Sequence, residues 1–161
     1  AWQIVAIDLS EEKLSLAREF GATHTINTSN TTKQERVEYC RSITEGRGLD
    51  VAVETVGKPD VIVEGIEMCR RGGTYIETGN FVDTGDVSIN AHRHLAAKNL
   101  LLIGNSNHPH TGYYQAMNMM VKYREEFPWE KLVTHRFPLE KCQEAMETSM
   151  QADPLKVVFE M

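Results

Sequence analysis

Residues 3–22, QIVAIDLSEEKLSLAREFGA, decide the fold. Ile4 to Asp8 is a short apolar run that reads as a strand, and an acidic residue stands where the strand should end. Ser10 then offers an N-cap oxygen, and Glu11 and Glu12 suit the positive end of a helix dipole. Leu14, Ala17 and Phe20 recur at helical spacing until Gly21 stops the run. The stretch is one strand, one turn and one helix.

The same alternation repeats downstream. Ala22 to Ile26 reads as a weaker strand, and Thr32-Lys-Gln-Glu35 is a capping box opening a helix that turns Val37, Cys40 and Ile43 inward. LDVAVETVG is the strongest strand pattern in the chain. Pro59 sits where a first helical turn tolerates it, Ile62, Ile66 and Cys69 mark a buried face, and RRGG is expected to close that helix before the strand TYIETG. A turn-rich stretch around Asp83 to Asp86 leads to the strand NLLLIG and a helix from Tyr113 to Phe127, which Pro128 ends. LVTHRF, a helix from Pro138 to about Met150 and LKVVFEM complete the chain. Strands separated by helices of this length predict parallel pairing in a doubly wound α/β sheet covered on both faces.

At 161 residues, 41% of them hydrophobic and 25% charged, the chain has the composition of about one soluble globular domain. No apolar run reaches the ~20 residues needed to cross a bilayer, and no basic segment with an apolar core follows Ala1, so membrane and secretory readings are disfavoured and a cytoplasmic location is expected. A net charge of -6 without a basic cluster argues against nucleic acid. Cys40, Cys69 and Cys142 are odd in number and far apart, which predicts reduced thiols in helices rather than a disulfide framework.

In an open α/β sheet ligands bind beyond the carboxyl ends of the strands. Asp8 stands at such an end, where a carboxylate accepts both hydroxyls of an adenine ribose, and Lys13 follows one helical turn on; the competing role for Asp8 is to cap the next helix. Gly57 and Gly79 stand at two further strand ends, where backbone approaches a ligand closely or simply turns.

The ordered series of segments resembles the zinc-type alcohol dehydrogenases of the medium-chain dehydrogenase/reductase superfamily. AIDLSEEKLSLAREFGATHTIN is similar to that family's second βα unit and third strand, GLDVAVETVG to its fourth strand, CRRGGTYIETGNF to its fifth and KNLLLIGNS to its sixth. LVTHRFPLEKCQEAM and DPLKVVFEM resemble its return into the catalytic domain. The resemblance implies a Rossmann-like sheet lacking its first strand, glycine-rich loop and first helix, with residues 1–127 as a truncated dinucleotide-binding domain and 128–161 as the return segment. The chain is then expected to be a C-terminal fragment, by itself inactive, metal-free and weak for NAD, because the pyrophosphate normally rests on the glycine loop. In the strand order 3-2-1-4-5-6 the strands ending at Asp8 and Thr55 would flank the missing one; the expected repair is their direct pairing, with the slot filled by another chain as the alternative.

Carried over residue by residue, the resemblance implies that Asp8 and Lys13 hold the adenine ribose and that Thr55, Val56 and Lys58 border the adenine. Thr78 and Gly79 would lie near the nicotinamide, Ile103 and Gly104 near its carboxamide, and Lys156 near the pyrophosphate. It further implies hydride transfer between NAD and an alcohol or its carbonyl product, with zinc held by the parent's other domain and no catalytic residue in this chain. Leu100, Leu101, Leu102 and Ile103 form an uncharged edge strand, expected to pair with its own copy in a homodimer unless the stretch from Phe81 to Asn99 folds over it.

Three alternatives remain at this level: a zinc-free quinone reductase of the same superfamily, an S-adenosylmethionine methyltransferase, and a non-catalytic nucleotide-binding or oligomerisation module. A methyltransferase sheet should close with an antiparallel hairpin. The pairs His92 with His94 and His108 with His110 lie two apart, as ligands on one face of an extended segment would, but no CxxC or HExxH pattern accompanies them, and solvated loop histidines are expected. Met117, Met119, Met120, Met146 and Met150 are expected to fill core.

Overall fold

The computed structural model describes residues 2–107, 109–151 and 154–161, and divides into two compact units, 32–110 and 1–31 with 111–161. In the latter, β1 (Val5–Asp8) leads through α1 (Glu11–Glu19) to the parallel β2 (His24–Asn27), with Ile7 opposite Ile26. The Ser10 hydroxyl caps α1 by accepting the Lys13 N–H, and Leu14 is buried beneath it. Later in the same unit come α4 (Thr111–Lys122), β6 (Val133–Pro138), α5 (Cys142–Ser149) and β7 (Lys156–Glu160). Phe20, Phe127 and Trp129 pack ring against ring, with Phe20 stacked on Phe127 at 5.6 Å. β6 and β7 are parallel, with α5 as their crossover, not the antiparallel hairpin of a methyltransferase.

The 32–110 unit holds α2 (Lys33–Ser42), β3 (Leu49–Glu54), α3 (Pro59–Met68), β4 (Cys69–Glu77) and β5 (Leu101–Gly104). The capping box forms as expected: Thr32 accepts the Glu35 N–H, and the Glu35 carboxylate accepts the Thr32 N–H. β3, β4 and β5 pair in parallel in that order. Ile66, Cys69 and Tyr75 form a core between α3 and the sheet, with Ala52, Ile62 and Leu100 around it. A buried ion pair joins α2 to α3, the Arg36 guanidinium reaching both oxygens of Glu64 at 2.5 and 2.9 Å.

Four expectations need correction. RRGG does not close the helix: α3 ends at Met68, and residues 70–73 form an irregularity within β4, because pairing passes from Leu49 with Cys69 directly to Val51 with Thr74. Gly72, at φ 69°, makes that kink possible and donates its N–H to the Lys98 carbonyl. Among the described residues of this unit, α3 covers one face of the sheet and no helix packs on the other. Val51 and Val53 stay more than half exposed, since β4 reaches β5 through turns and a short π-helical segment at Ala91–Ala96 rather than through a helix packed on the second face. Among the described residues the direct pairing of β1 with β3 is not formed: each pairs with the strand at the other end of its own helical crossover, β1 with β2 and β3 with β4.

The fourth correction concerns side chains expected in solvent or in the core. His94 is not a solvated loop residue; it is buried in the π-helical segment, where its Nδ1 accepts the Asn90 N–H, while His92 and His110 are exposed and His108 lies outside the described residues. Met117, Met119 and Met120 on α4, Met146 on α5 and Met150 just beyond it are exposed, and no residue of α4 is buried. The three cysteines are free thiols, with Cys69 opening β4 rather than lying in a helix. No helix among the described residues is long and apolar enough to cross a membrane.

Candidate functional site

The carboxyl ends of β3, β4 and β5 meet in the 32–110 unit. β3 ends at Glu54, which is buried, and its Oε1 accepts the N–H groups of Val56 and Gly57 at 2.5 and 2.9 Å. That bond pair folds residues 55–57 into a tight turn with Gly57 at φ 77°. Thr55, Val56 and Lys58 are left exposed on it. β4 ends at Glu77, and Thr78 returns to β3 by donating both its N–H and its hydroxyl to the Glu54 carbonyl, at 3.1 and 2.7 Å. A Cβ on Gly57 would stand 2.6 Å from the Gly79 carbonyl oxygen, and one on Gly79 would collide with the Glu54 carboxyl and the Gly57 nitrogen. The two loops therefore touch backbone to backbone, which only glycine at both positions permits. Asn105 ties the end of β5 to β4 through its N–H and the Glu77 carbonyl, leaving Ile103 and Gly104 exposed with open space around the Gly104 α-carbon.

Sequence reasoning missed the groups that hold this arrangement. Asn80 donates its backbone and side-chain N–H groups to Glu77 Oε1 at 3.1 and 2.9 Å, and the Tyr75 hydroxyl donates to Glu77 Oε2 at 3.0 Å. Burial pushes the Glu54 carboxyl up, reinforced by its hydrogen bond with Glu77. Burial acts on Glu77 in the same sense, but the hydrogen bonds from Asn80, Glu54 and Tyr75 prevail and hold it below the usual carboxylate range. The signal that would have found the two glutamates, though not their contact, is the one used for Asp8: an acidic residue ending an apolar strand, in VAVE and again in TYIE.

In the other unit, Asp8 ends β1 and its Oδ1 accepts the Ser10 N–H at 2.9 Å, so it does serve the turn into α1. Lys13 is half-buried in the first turn of that helix. Lys156 is exposed at the start of β7, at the opposite end of a strand from the positions above. Seven of the ten residues singled out from the sequence, Thr55, Val56, Lys58, Thr78, Gly79, Ile103 and Gly104, thus gather at three adjacent strand ends of one unit. Asp8 and Lys13 gather at the single strand end of β1. Among the described residues no group of three or more His, Cys, Asp or Glu side chains is arranged to hold a metal ion. A groove of about 450 Å³ elsewhere in the 32–110 unit is lined by Lys33, Arg41, Arg93 and Lys98 together with Glu38 and Glu67. Lys98 is committed there to closing α3, its ammonium donating to the carbonyls of Ile66, Glu67 and Cys69.

Residues 1–122 match the model of a family described as zinc-binding dehydrogenase. The chain is 31% identical to the 5-exo-hydroxycamphor dehydrogenase of Pseudomonas putida over 99% of its own length and 44% of that protein's. It is 32% identical to the sorbitol dehydrogenase of Rattus norvegicus, over 99% of this chain and 43% of the relative. Among solved structures an alcohol dehydrogenase from Thermotoga maritima superposes with a TM-score of 0.90 at 31% identity, covering 98% of this chain and 43% of the other. The chain spans less than half the length of these relatives.

Proposed function

The chain belongs to the zinc-binding dehydrogenase family, and from that membership we propose that it supplies most of the dinucleotide-binding part of an NAD-dependent alcohol dehydrogenase. The observation that carries this reading is the gathering of exposed loop residues and close-approach glycines at the carboxyl ends of β3, β4 and β5, where an open α/β sheet binds its ligand. Bound NAD supplies the hydride acceptor for an alcohol substrate or, in reverse, the donor to its carbonyl product. Asp8 accepts the adenine ribose hydroxyls with Lys13 beside them, and Thr55, Val56 and Lys58 border the adenine. Thr78 and Gly79 line the nicotinamide, Ile103 and Gly104 its carboxamide, and Lys156 approaches the pyrophosphate. These residues bind and orient; none moves a proton. Residues 1–127 then form the cofactor domain and 128–161 the return into a catalytic domain, in a cytoplasmic protein that engages neither membrane nor nucleic acid. Zinc finds no ligand set among the described residues.

Asp8 makes NAD the preferred cofactor over NADP. A charged acceptor on the ribose is worth about 1.5–3 kcal/mol, whereas a 2′-phosphate would meet a like charge, and positions 9 to 12, Leu-Ser-Glu-Glu, offer no cation to compensate. In the full-length enzyme kcat/KM is expected to be at least tenfold higher with NAD, and Asp8→Ala to erase most of the difference; equal values in the unaltered enzyme would refute the assignment. Titration with S-adenosylmethionine beside NADH separates this reading from a methyltransferase, which would bind the former.

The exposed edge of β5 supports a homodimer. Leu101, Leu102 and Ile103 are all exposed and, among the described residues, β5 pairs with β4 alone, so the described stretch from Phe81 to Asn99 leaves the edge open. A two-fold pairing of this strand with its copy, Leu100 to Ile103 on each side, removes the edge from water. Sedimentation of the protein is expected to give a dimer that Leu101→Lys or Ile103→Pro dissociates; a dimer that survives both has its interface elsewhere.

A further inference from the structure

We propose that Glu54 and Glu77 hold one proton between them, and that this acid pair positions the loops 55–58 and 78–80 for the dinucleotide. The positioning role rests on the cofactor reading above; the shared proton does not. Glu54 and Glu77 are register partners at the ends of adjacent parallel strands, so both side chains leave the same face of the sheet. Their carboxyl groups converge on the Asn80 side-chain amide, whose nitrogen lies 2.9 Å from Glu77 Oε1 and 3.5 Å from Glu54 Oε2, so the two stand side by side and a proton on either lets it donate to the other. None of the ion pairs among the described residues involves either glutamate. Two bare carboxylates side by side at a largely buried site, without an ion-pair partner, repel each other, which favours keeping one of them neutral.

The remaining bonds say which. Glu77 collects charged-form donors on both oxygens: the N–H and side-chain amide of Asn80 on Oε1 and the Tyr75 hydroxyl on Oε2. Glu54 is 6% exposed, its Oε1 accepts from Val56 and Gly57 as the carbonyl oxygen of a neutral acid can, and its Oε2 lies 3.5 Å from the Asn80 amide, on the side of Glu77. Glu54 is therefore the acid and Glu77 the carboxylate. Facing the pair are Tyr75, whose hydroxyl burial and Glu77 keep protonated, and, behind the tyrosine ring, Cys69, a thiol that burial keeps neutral. From α3, Gly65 and Ile66 pack on Tyr75 and neither ionises.

Each member of the pair anchors one loop, Glu54 through Val56 and Gly57, Glu77 through Asn80, and the loops meet at Gly57 and Gly79. Removing the shared proton sets two carboxylates against each other and parts the loops. Because burial raises Glu54, the stabilisation that its proton provides is complete below the ordinary glutamate value of about 4.3 and is lost as pH rises through the raised value. Glu77, held low, contributes above the ordinary glutamate value and loses that contribution as pH falls through its lowered value. The clasp is closed between the two.

Two readouts on the full-length protein test the proposal. An infrared pH titration is expected to show one protonated carboxyl persisting above the ordinary glutamate range, absent from Glu54→Gln and, because burial still acts on Glu54, titrating at lower pH in Glu77→Gln. NADH affinity, followed by fluorescence, should weaken about tenfold per pH unit once that band disappears, as linkage to one proton requires. Glu54→Gln, which keeps the donor and the acceptor, should bind NADH without this pH dependence, and Glu54→Ala should bind weakly throughout. Absence of the persistent band overturns the shared proton. A band that titrates while NADH affinity stays flat overturns the positioning role. Failure of NADH to bind at any pH, with the band behaving as expected, overturns the cofactor reading and with it the positioning role, and leaves the shared proton standing.

Discussion

Helices α3 and α4 carry apolar residues at the same helical spacing, yet only one is covered. In α3, Ile66 and Met68 are buried and Pro59 opens the helix, while Lys98 closes its last carbonyls. In α4 no residue is buried, and Tyr114 and Val121 are 68% and 69% exposed. The period of a sequence says that a helix has an apolar face; what lies against that face comes from elsewhere in the chain or from another surface. α3 has its cover within a few dozen residues, in Tyr75 of the strand that follows it and in Arg36 of the helix before it.

The largest effect expected from this contrast is at the α2–α3 contact. Arg36→Ala leaves the Glu64 carboxylate buried without its partner, which costs about 3–5 kcal/mol, measured as a shift of the urea midpoint. Replacing both, Arg36→Met with Glu64→Leu, should recover most of the loss, because a buried pair adds little over apolar side chains of similar volume. A single substitution no more costly than one on α4 would erase the distinction between the helices.

The α3–sheet contact is expected to be next. A methyl group on Gly65 would stand 2.5 Å from Tyr75 Cε2, so Gly65→Ala should cost about 1–3 kcal/mol by overpacking, on a ring that cannot withdraw because it is wholly buried. In a Tyr75→Leu background the same substitution should be far milder. Additive costs in that double-mutant cycle would mean that the ring is not what constrains the helix.

What could be read from the sequence follows the same division between local and distant causes. The strand-helix alternation, the Ser10 cap, the Thr32-Glu35 box and the proline at the start of α3 were legible because each depends on residues within one turn. Seven proposed site residues fell at neighbouring strand ends because parallel order places every carboxyl end on one side of the sheet. The kink at 70–73, the burial of His94 and the Glu54–Glu77 contact were not legible, since each is set by a partner 20 or more residues away: Leu49 for the kink, Glu67 for His94, and β4 for Glu54. Asp8 shows the limit of a single position. The turn bond that Oδ1 makes to Ser10 and the proposed ribose contact are compatible on one carboxylate, so its place at a strand end could not choose between them.

A smaller effect is expected at the capping box that opens α2. Thr32→Ala removes the oxygen that accepts the Glu35 N–H and should cost about 0.5–2 kcal/mol. The Thr32 N–H and hydroxyl hold the Glu35 carboxyl below its ordinary value. A lowered acid contributes stability above its unfolded-state value and loses it as pH falls through the folded-state value. The stability difference between the unaltered protein and Thr32→Ala should therefore shrink as pH falls below about 4. A difference that stays constant into acid would place the box outside the forces that start the helix.

The smallest effect on folding is expected on α4, and it decides whether that helix is as bare in solution as its exposure implies. Val121→Gln and Met117→Gln replace side chains that touch little, so each should shift the unfolding free energy by less than about 0.5 kcal/mol at low protein concentration. If the apolar face is instead covered by another surface, the two changes act through association. The unfolding midpoint of the unaltered protein would then rise with protein concentration and that of the variants would not, because stabilisation by a bound partner follows mass action. A loss above about 1 kcal/mol that is independent of concentration would mean that α4 is packed within its own chain, as α3 is, and the contrast between the two helices would fall.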